Sequence, residues 1–116
     1  MKLYKSFLLA LNGLKTVWSE EFNFRVEIVV AIFVLIAVFI MDFSLIEISL
    51  IVIAIILVIS AEIINTAIED LCNKVEPKQD PLIGKIKDTM AAFVLTSACG
   101  AGILGIIVLL HHFITL

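Results

Sequence analysis

The sequence predicts an all-α membrane protein, a single domain over residues 1–116 built from an N-terminal interfacial amphipathic helix and three transmembrane helices. Three observations carry that prediction. The chain has 116 residues, 62% of them apolar, and its mean hydropathy of +1.19 is too high for a soluble domain. Three apolar stretches approach the roughly 20 residues that a helix needs to cross a hydrocarbon core of about 30 Å. All eight lysines and arginines lie on one side of those stretches. Against eleven acidic residues they leave a net charge of −3, which excludes a basic nucleic-acid-binding face. Cys72 and Cys99 match neither a disulfide framework nor a zinc site and read as packing residues.

Residues 1–21 carry Phe7, Leu8, Leu11, Leu14 and Trp18 at intervals of three and four, the pattern of a helix lying in the membrane interface. Asn12 and Lys15 break its apolar run, so it reads neither as a span nor as a cleaved signal peptide. The first span covers residues 22–42, with VEIVVAIFVLIAVFIM at its centre, and the second covers 45–73. Pro77, Pro81 and Gly84 then predict a break, giving a loop over 74–86 before the third span at 87–110. Lys2, Lys5, Lys15 and Arg25 precede the first span, and Lys74, Lys78, Lys85 and Lys87 fill the second connection, so both belong in the cytoplasm and the C-terminus outside.

The second span contains an anomaly. In ISAEIINTAIEDLCN, Glu62, Asn65, Glu69 and Asn73 interrupt an apolar helix, and a charge at membrane depth costs about 2.5 kcal/mol or more on the insertion scale. At about 100° per residue, Glu62, Glu69 and Asn73 fall within roughly 40° of one another, with Asn65 about 60° to one side. The two carboxylates therefore share a stripe and stand about 10 Å apart along the axis. Asp70 points elsewhere, toward water or a neighbour. Three readings compete for this stripe: polar glue between helices, an ion or proton path, and chemistry at the cytoplasmic boundary on a lipid head group.

Other charges gather at the same level. Glu20 and Glu21 end the interfacial helix, Arg25 and Glu27 open the first span, and Lys87 with Asp88 opens the third. Taken singly, Glu20 and Glu21 read as solvated helix-end charges, and Lys85 and Lys87 as topology determinants. Together, a carboxylate pair can hold Mg²⁺ alongside nucleotide phosphates, and a lysine can neutralise a transferring phosphoryl group. No glycine-rich phosphate loop and no kinase catalytic-loop motif occurs, so a phosphate site would be built from side chains on helices. His111 and His112 lie at the opposite end and read as interfacial residues, not ligands.

The stretch AEIINTAIEDLCNKVEP, followed by Lys87-Asp88, and the earlier GLKTVWSEEFNFRVE resemble the small prokaryotic diacylglycerol kinases and the related undecaprenol kinases over essentially the whole chain. The resemblance implies an integral membrane homotrimer of the bacterial inner membrane, with sites between protomers, that phosphorylates a lipid hydroxyl using ATP and Mg²⁺. Diacylglycerol, converted to phosphatidic acid, is the implied acceptor, with undecaprenol as the alternative. The loop QDPLIGKIKD is more like the diacylglycerol kinase branch. The resemblance further implies Glu62 as general base, Asn65 as the residue that orients the site, and Glu21 and Glu69 as metal-holding carboxylates on ATP. Lys87 would contact the phosphates and Asp88 the nucleoside, while Phe24, Arg25 and Glu27, with Glu62, would line the lipid region. The sequence departs from the family pattern at Lys2, Leu9, Met90 and Ala91, so the contacts that Arg, Tyr and a Gly-Ser pair make there are not expected here.

Overall fold

A computed structural model describes residues 1–114. They form α1 (Lys2–Glu20), α2 (Phe22–Ile40), α3 (Leu45–Val75) and α4 (Pro81–Ile114). The last three are long and apolar enough to cross a membrane. Among the described residues α3 is the hub: α4 and α2 pack on it, α1 touches α2 and α3, and the Cα atoms of α2 and α4 stay more than 8 Å apart. Phe33, Phe39, Ile53, Ile56, Ile103 and Ile107 are exposed on the outer faces, as suits helices surrounded by lipid.

The breaks between helices have local causes. Glu21 takes an extended conformation between α1 and α2, and its N–H closes α1 on the Val17 carbonyl. Between α2 and α3, Asp42 adopts a positive φ of 56°, which a short polar side chain tolerates better than an apolar one. Ser44 then caps α3 through a reciprocal box, in which Glu47 N–H donates to Ser44 Oγ at 3.2 Å and Ser44 N–H donates to Glu47 Oε1 at 2.8 Å. With 31 residues, α3 is about 46 Å long, more than the hydrocarbon core requires, so one end projects past the apolar zone.

The connection expected over 74–86 is much shorter, because α3 continues to Val75 and α4 starts at Pro81. Proline at the first helical position lacks only an N–H that would have no partner there. Asp80 caps the new helix, accepting from Leu82 N–H at 3.0 Å and Ile83 N–H at 3.1 Å, and Gly84 continues it by donating to the Asp80 carbonyl. Pro81 and Gly84 therefore begin a helix instead of ending one. Cys72 is buried as a packing residue should be, but Cys99 is exposed, because α4 spends only a narrow face on α3.

The two histidines do more than mark the interface. His111 Nδ1 stands 3.2 Å from Glu47 Oε2 and His112 Nδ1 stands 3.1 Å from Glu47 Oε1. Glu47 and His112 are both buried, and the His112 ring stacks on Phe43 with centroids 3.8 Å apart and planes 8° off parallel. Val38, Phe43, Ile51 and Val108 form the apolar cluster beside this clasp. Replacing Glu47 with Ala removes the side-chain half of the capping box and the acceptor of a buried imidazole together. The midpoint of thermal unfolding in detergent is expected to fall by several degrees; an unchanged midpoint would show that the clasp contributes nothing.

Candidate functional site

The end of α3 opposite the clasp carries the acidic stripe, and the α1–α2 junction faces it. Three carboxyl pairs face each other across this seam: Glu27 with Glu62, Glu21 with Glu69, and Glu20 with Asp70. Helical periodicity explains the order. Going outward along α3, Glu62 comes first, with Glu69 two turns later and Asp70 beside it. Burial falls in the same direction, from Glu62 at 2% exposed through half-buried Glu21, Glu27 and Glu69 to exposed Glu20 and Asp70. At the innermost pair, Glu27 Oε2 is sealed from solvent with no hydrogen-bond partner. The Thr66 hydroxyl donates to the Glu62 carbonyl at 2.9 Å, keeping the buried turn of α3 free of an unpaired hydroxyl.

Outside the spans, the junction carboxyls are displaced upward in pKa. Burial pushes Glu21 up to about 7, assisted by its hydrogen bond to Glu69 and by the charges of Glu69, Glu62 and Glu20. The hydrogen bond to Asp70 raises Glu20 above its ordinary value, with smaller contributions from burial and from the Asp70 charge. Like charges this close cannot all ionise cheaply, so the junction retains a proton unless a cation replaces it.

The remaining residues singled out in the sequence are placed as follows. Lys87, half-buried on α4, donates from Nζ to Asn73 Oδ1 at 2.7 Å and joins the two helices one turn beyond Glu69. A polar groove of about 600 Å³ opens there between the end of α3 and the start of α4, lined by Asn73, Glu76, Lys78, Asp80 and Lys87 among others. That volume is within the range of small-molecule sites. Asp88 is exposed on α4 and Asn65 is half-buried on α3. Phe24 is buried at 3% exposed, and the Arg25 guanidinium lies 5.8 Å from the centre of the Phe22 ring.

A divalent ion fits the junction only in part. Glu21 and Glu69 supply two carboxylates from opposite sides of the seam, the donor set Mg²⁺ takes when phosphate oxygens and waters complete its octahedron. Among the described residues no three His, Cys, Asp or Glu side chains converge into a full cage. The pair thus suits a metal that arrives with its own oxygen ligands.

Sequence reasoning missed the outermost pair. It left Asp70 pointing toward water or an unnamed neighbour and Glu20 among the boundary charges without joining them, and the two meet because each is the chain neighbour of a residue in the Glu21–Glu69 pair. Adjacency to a facing pair was the available signal. Glu27 was placed at the same boundary level by the charge pattern, but its partner Glu62 was not specified.

The raised Glu21 pKa sets a pH dependence. A carboxyl at 4.5 in the unfolded chain and about 7 in the folded one is held more tightly by the folded state between those values. Stability of the metal-free protein is therefore expected to be greatest below pH 4.5 as far as this group is concerned, and to fall as pH rises toward 7. Glu21→Gln should flatten that slope in thermal unfolding without divalent ions; an equally steep slope in the variant would remove Glu21 as its source.

Comparison with known proteins identifies the family. The family model for prokaryotic diacylglycerol kinase matches residues 8–109. The chain is 31% identical to a diacylglycerol kinase of Haemophilus influenzae over 101 residues, covering 87% of this chain and 86% of the relative. It is 33% identical to an undecaprenol kinase of Bacillus subtilis over 109 residues, 94% of this chain and 89% of the relative. A diacylglycerol kinase of Escherichia coli is 31% identical over 102 residues, 88% and 84% respectively. With the match running from within α1 to residue 109 in α4, this chain belongs to the prokaryotic diacylglycerol kinase family.

Proposed function

We propose that the protein is a lipid kinase that transfers the γ-phosphoryl group of ATP to a membrane alcohol, with diacylglycerol as acceptor and phosphatidic acid as product. The observation that carries this reading is the stacking of two carboxyl pairs at different depths on α3: Glu27–Glu62 enclosed, Glu21–Glu69 at the boundary. Two reactants of opposite solubility need such a separation. A lipid hydroxyl reaches the inner pair from the bilayer, while nucleotide phosphates reach the outer pair from water.

In this mechanism Glu62 accepts the proton of the lipid hydroxyl as its oxygen bonds to the γ-phosphorus in line and the bond to the β–γ bridging oxygen breaks, releasing ADP. Burial keeps water from competing with the lipid at Glu62. Asn65 orients the reacting groups one turn away. Lys87, steadied by Asn73, meets the phosphate oxygens from α4, and Asp88 contacts the nucleoside beyond it. Glu21 and Glu69 would hold Mg²⁺, which when bound neutralises charge on the β- and γ-phosphates. Phe24, Arg25 and Glu27 form the lipid side of the site. The working form is a homotrimer with sites between protomers in the bacterial inner membrane. The α1 helix lies along the interface, the α3–α4 turn is cytoplasmic and the C-terminus is outside, in accord with the placement of every cation.

Undecaprenol is the second candidate acceptor, favoured by the 33% identity to an undecaprenol kinase over 94% of the chain. Glu62→Gln should lower lipid phosphorylation by about 10²- to 10⁴-fold in a sample that remains folded. Transfer of radiolabelled phosphate from ATP measures this on diacylglycerol and undecaprenol side by side. Full turnover by the variant would reject Glu62 as base, and undecaprenol outpacing diacylglycerol would reassign the acceptor.

A further inference from the structure

The clasp at the end of the bundle away from the acidic stripe is a cluster of titratable groups that the lipid-kinase mechanism does not use. It joins two helix ends of opposite polarity. Glu47 stands in the first turn of α3, and His111 and His112 stand in the last turn of α4; these are the places where the helix dipole favours a carboxylate and an imidazolium respectively. Each carboxylate oxygen takes one ring: His111 Nδ1 lies 3.2 Å from Oε2 and His112 Nδ1 lies 3.1 Å from Oε1. The two rings differ in their access to water. The His112 side chain is 7% exposed and lies flat on Phe43 of the α2–α3 turn, whereas the His111 side chain is 64% exposed. Protons thus have a water-facing entry beside an enclosed ring on the same acceptor. Among the described residues the other ionisable group at this end is Asp42, exposed in the α2–α3 turn. The α2 helix ends in apolar Phe39 and Ile40, and the Cα atoms of α1 stay more than 8 Å from those of α4.

We propose that Glu47, His111 and His112 form a proton-operated latch, which ties the end of α4 to the α2–α3 turn when water on that side is acidic and loosens it as that side becomes alkaline. Imidazole is the side chain whose charge changes between about pH 5 and pH 8. A neutral ring gives the buried carboxylate one N–H and no charge. A protonated ring gives it the same N–H and cancels its charge, and a charge-assisted bond is about twice as strong as a neutral one. The Phe43 face under His112 also attracts a cation. Protonation therefore tightens the contact between α3 and α4, and deprotonation relaxes it. The latch does not depend on the chemistry at the opposite end of α3.

Hydrogen–deuterium exchange of the full chain in lipid nanodiscs reads the latch locally. After correction for the pH dependence of intrinsic exchange, wild-type amides in the 106–112 segment should be protected roughly tenfold more at the acidic end of the imidazole range than at the alkaline end. Glu47→Gln keeps a side-chain acceptor for the Ser44 N–H and so preserves the capping box, but it carries no charge. In that variant the difference between the two pH values is expected to disappear. A difference as large in Glu47→Gln as in the wild type, or none in the wild type, would overturn the latch. Should the variant fail to fold, nitrogen NMR of the histidine side chains in the wild type decides. The change from neutral to charged imidazole should coincide with the gain in protection, and either change occurring without the other would reject the proposal.

Discussion

The close approach of carboxyl groups on opposite sides of one helix seam is the constraint on which the rest of the site depends. An isolated carboxylate at membrane depth costs about 2.5 kcal/mol or more, and two side by side cost more unless a proton or a cation is shared between them. Here Glu27 meets Glu62, Glu21 meets Glu69 and Glu20 meets Asp70. Each pair joins the α1–α2 junction to α3, so the same groups that offer chemistry also hold the helices in register. A metal bound with its phosphates would replace a shared proton with a stronger bridge. In that view binding and closure of the seam are one event.

The two ends of α3 are built for opposite purposes. At one end Glu47 has its partners inside the fold, in the Ser44 cap and both imidazoles, and the neighbouring cluster is tightly enclosed. At the other end carboxyls face carboxyls, and Glu27 retains a buried oxygen without a donor. Satisfied polar groups rigidify and unsatisfied ones await a ligand. The clasp fixes α4 against the α2–α3 turn, so the long lever of α4 presents Lys87 at a defined place beside Asn73.

Much of the architecture was legible in the sequence, for identifiable reasons. Apolar runs near 20 residues announce spans whatever their partners, and the three long helices follow them. Periodicity also placed Glu62 and Glu69 on one face, because a helix of fixed pitch leaves no freedom there. What periodicity does not specify is the neighbour opposite that face, so the pairing with Glu21 and Glu27 needed either resemblance or coordinates. Pro81 misled because a proline ends a helix from within and begins one from its first turn, and only the Asp80 cap distinguishes the two. The Glu47–His112 contact spans 65 positions and had no local signature at all.

The central claim is that the two inner carboxyl pairs divide the work, the boundary pair holding metal and nucleotide and the enclosed pair serving the lipid. Calorimetric titration of a non-hydrolysable MgATP analogue into the purified protein tests that division directly. The account predicts wild-type affinity in Glu62→Gln and a loss of at least roughly tenfold in Glu21→Gln, the magnitude expected for losing one charged partner of a bound ion. Equal losses in both variants, or full affinity in Glu21→Gln, would contradict it.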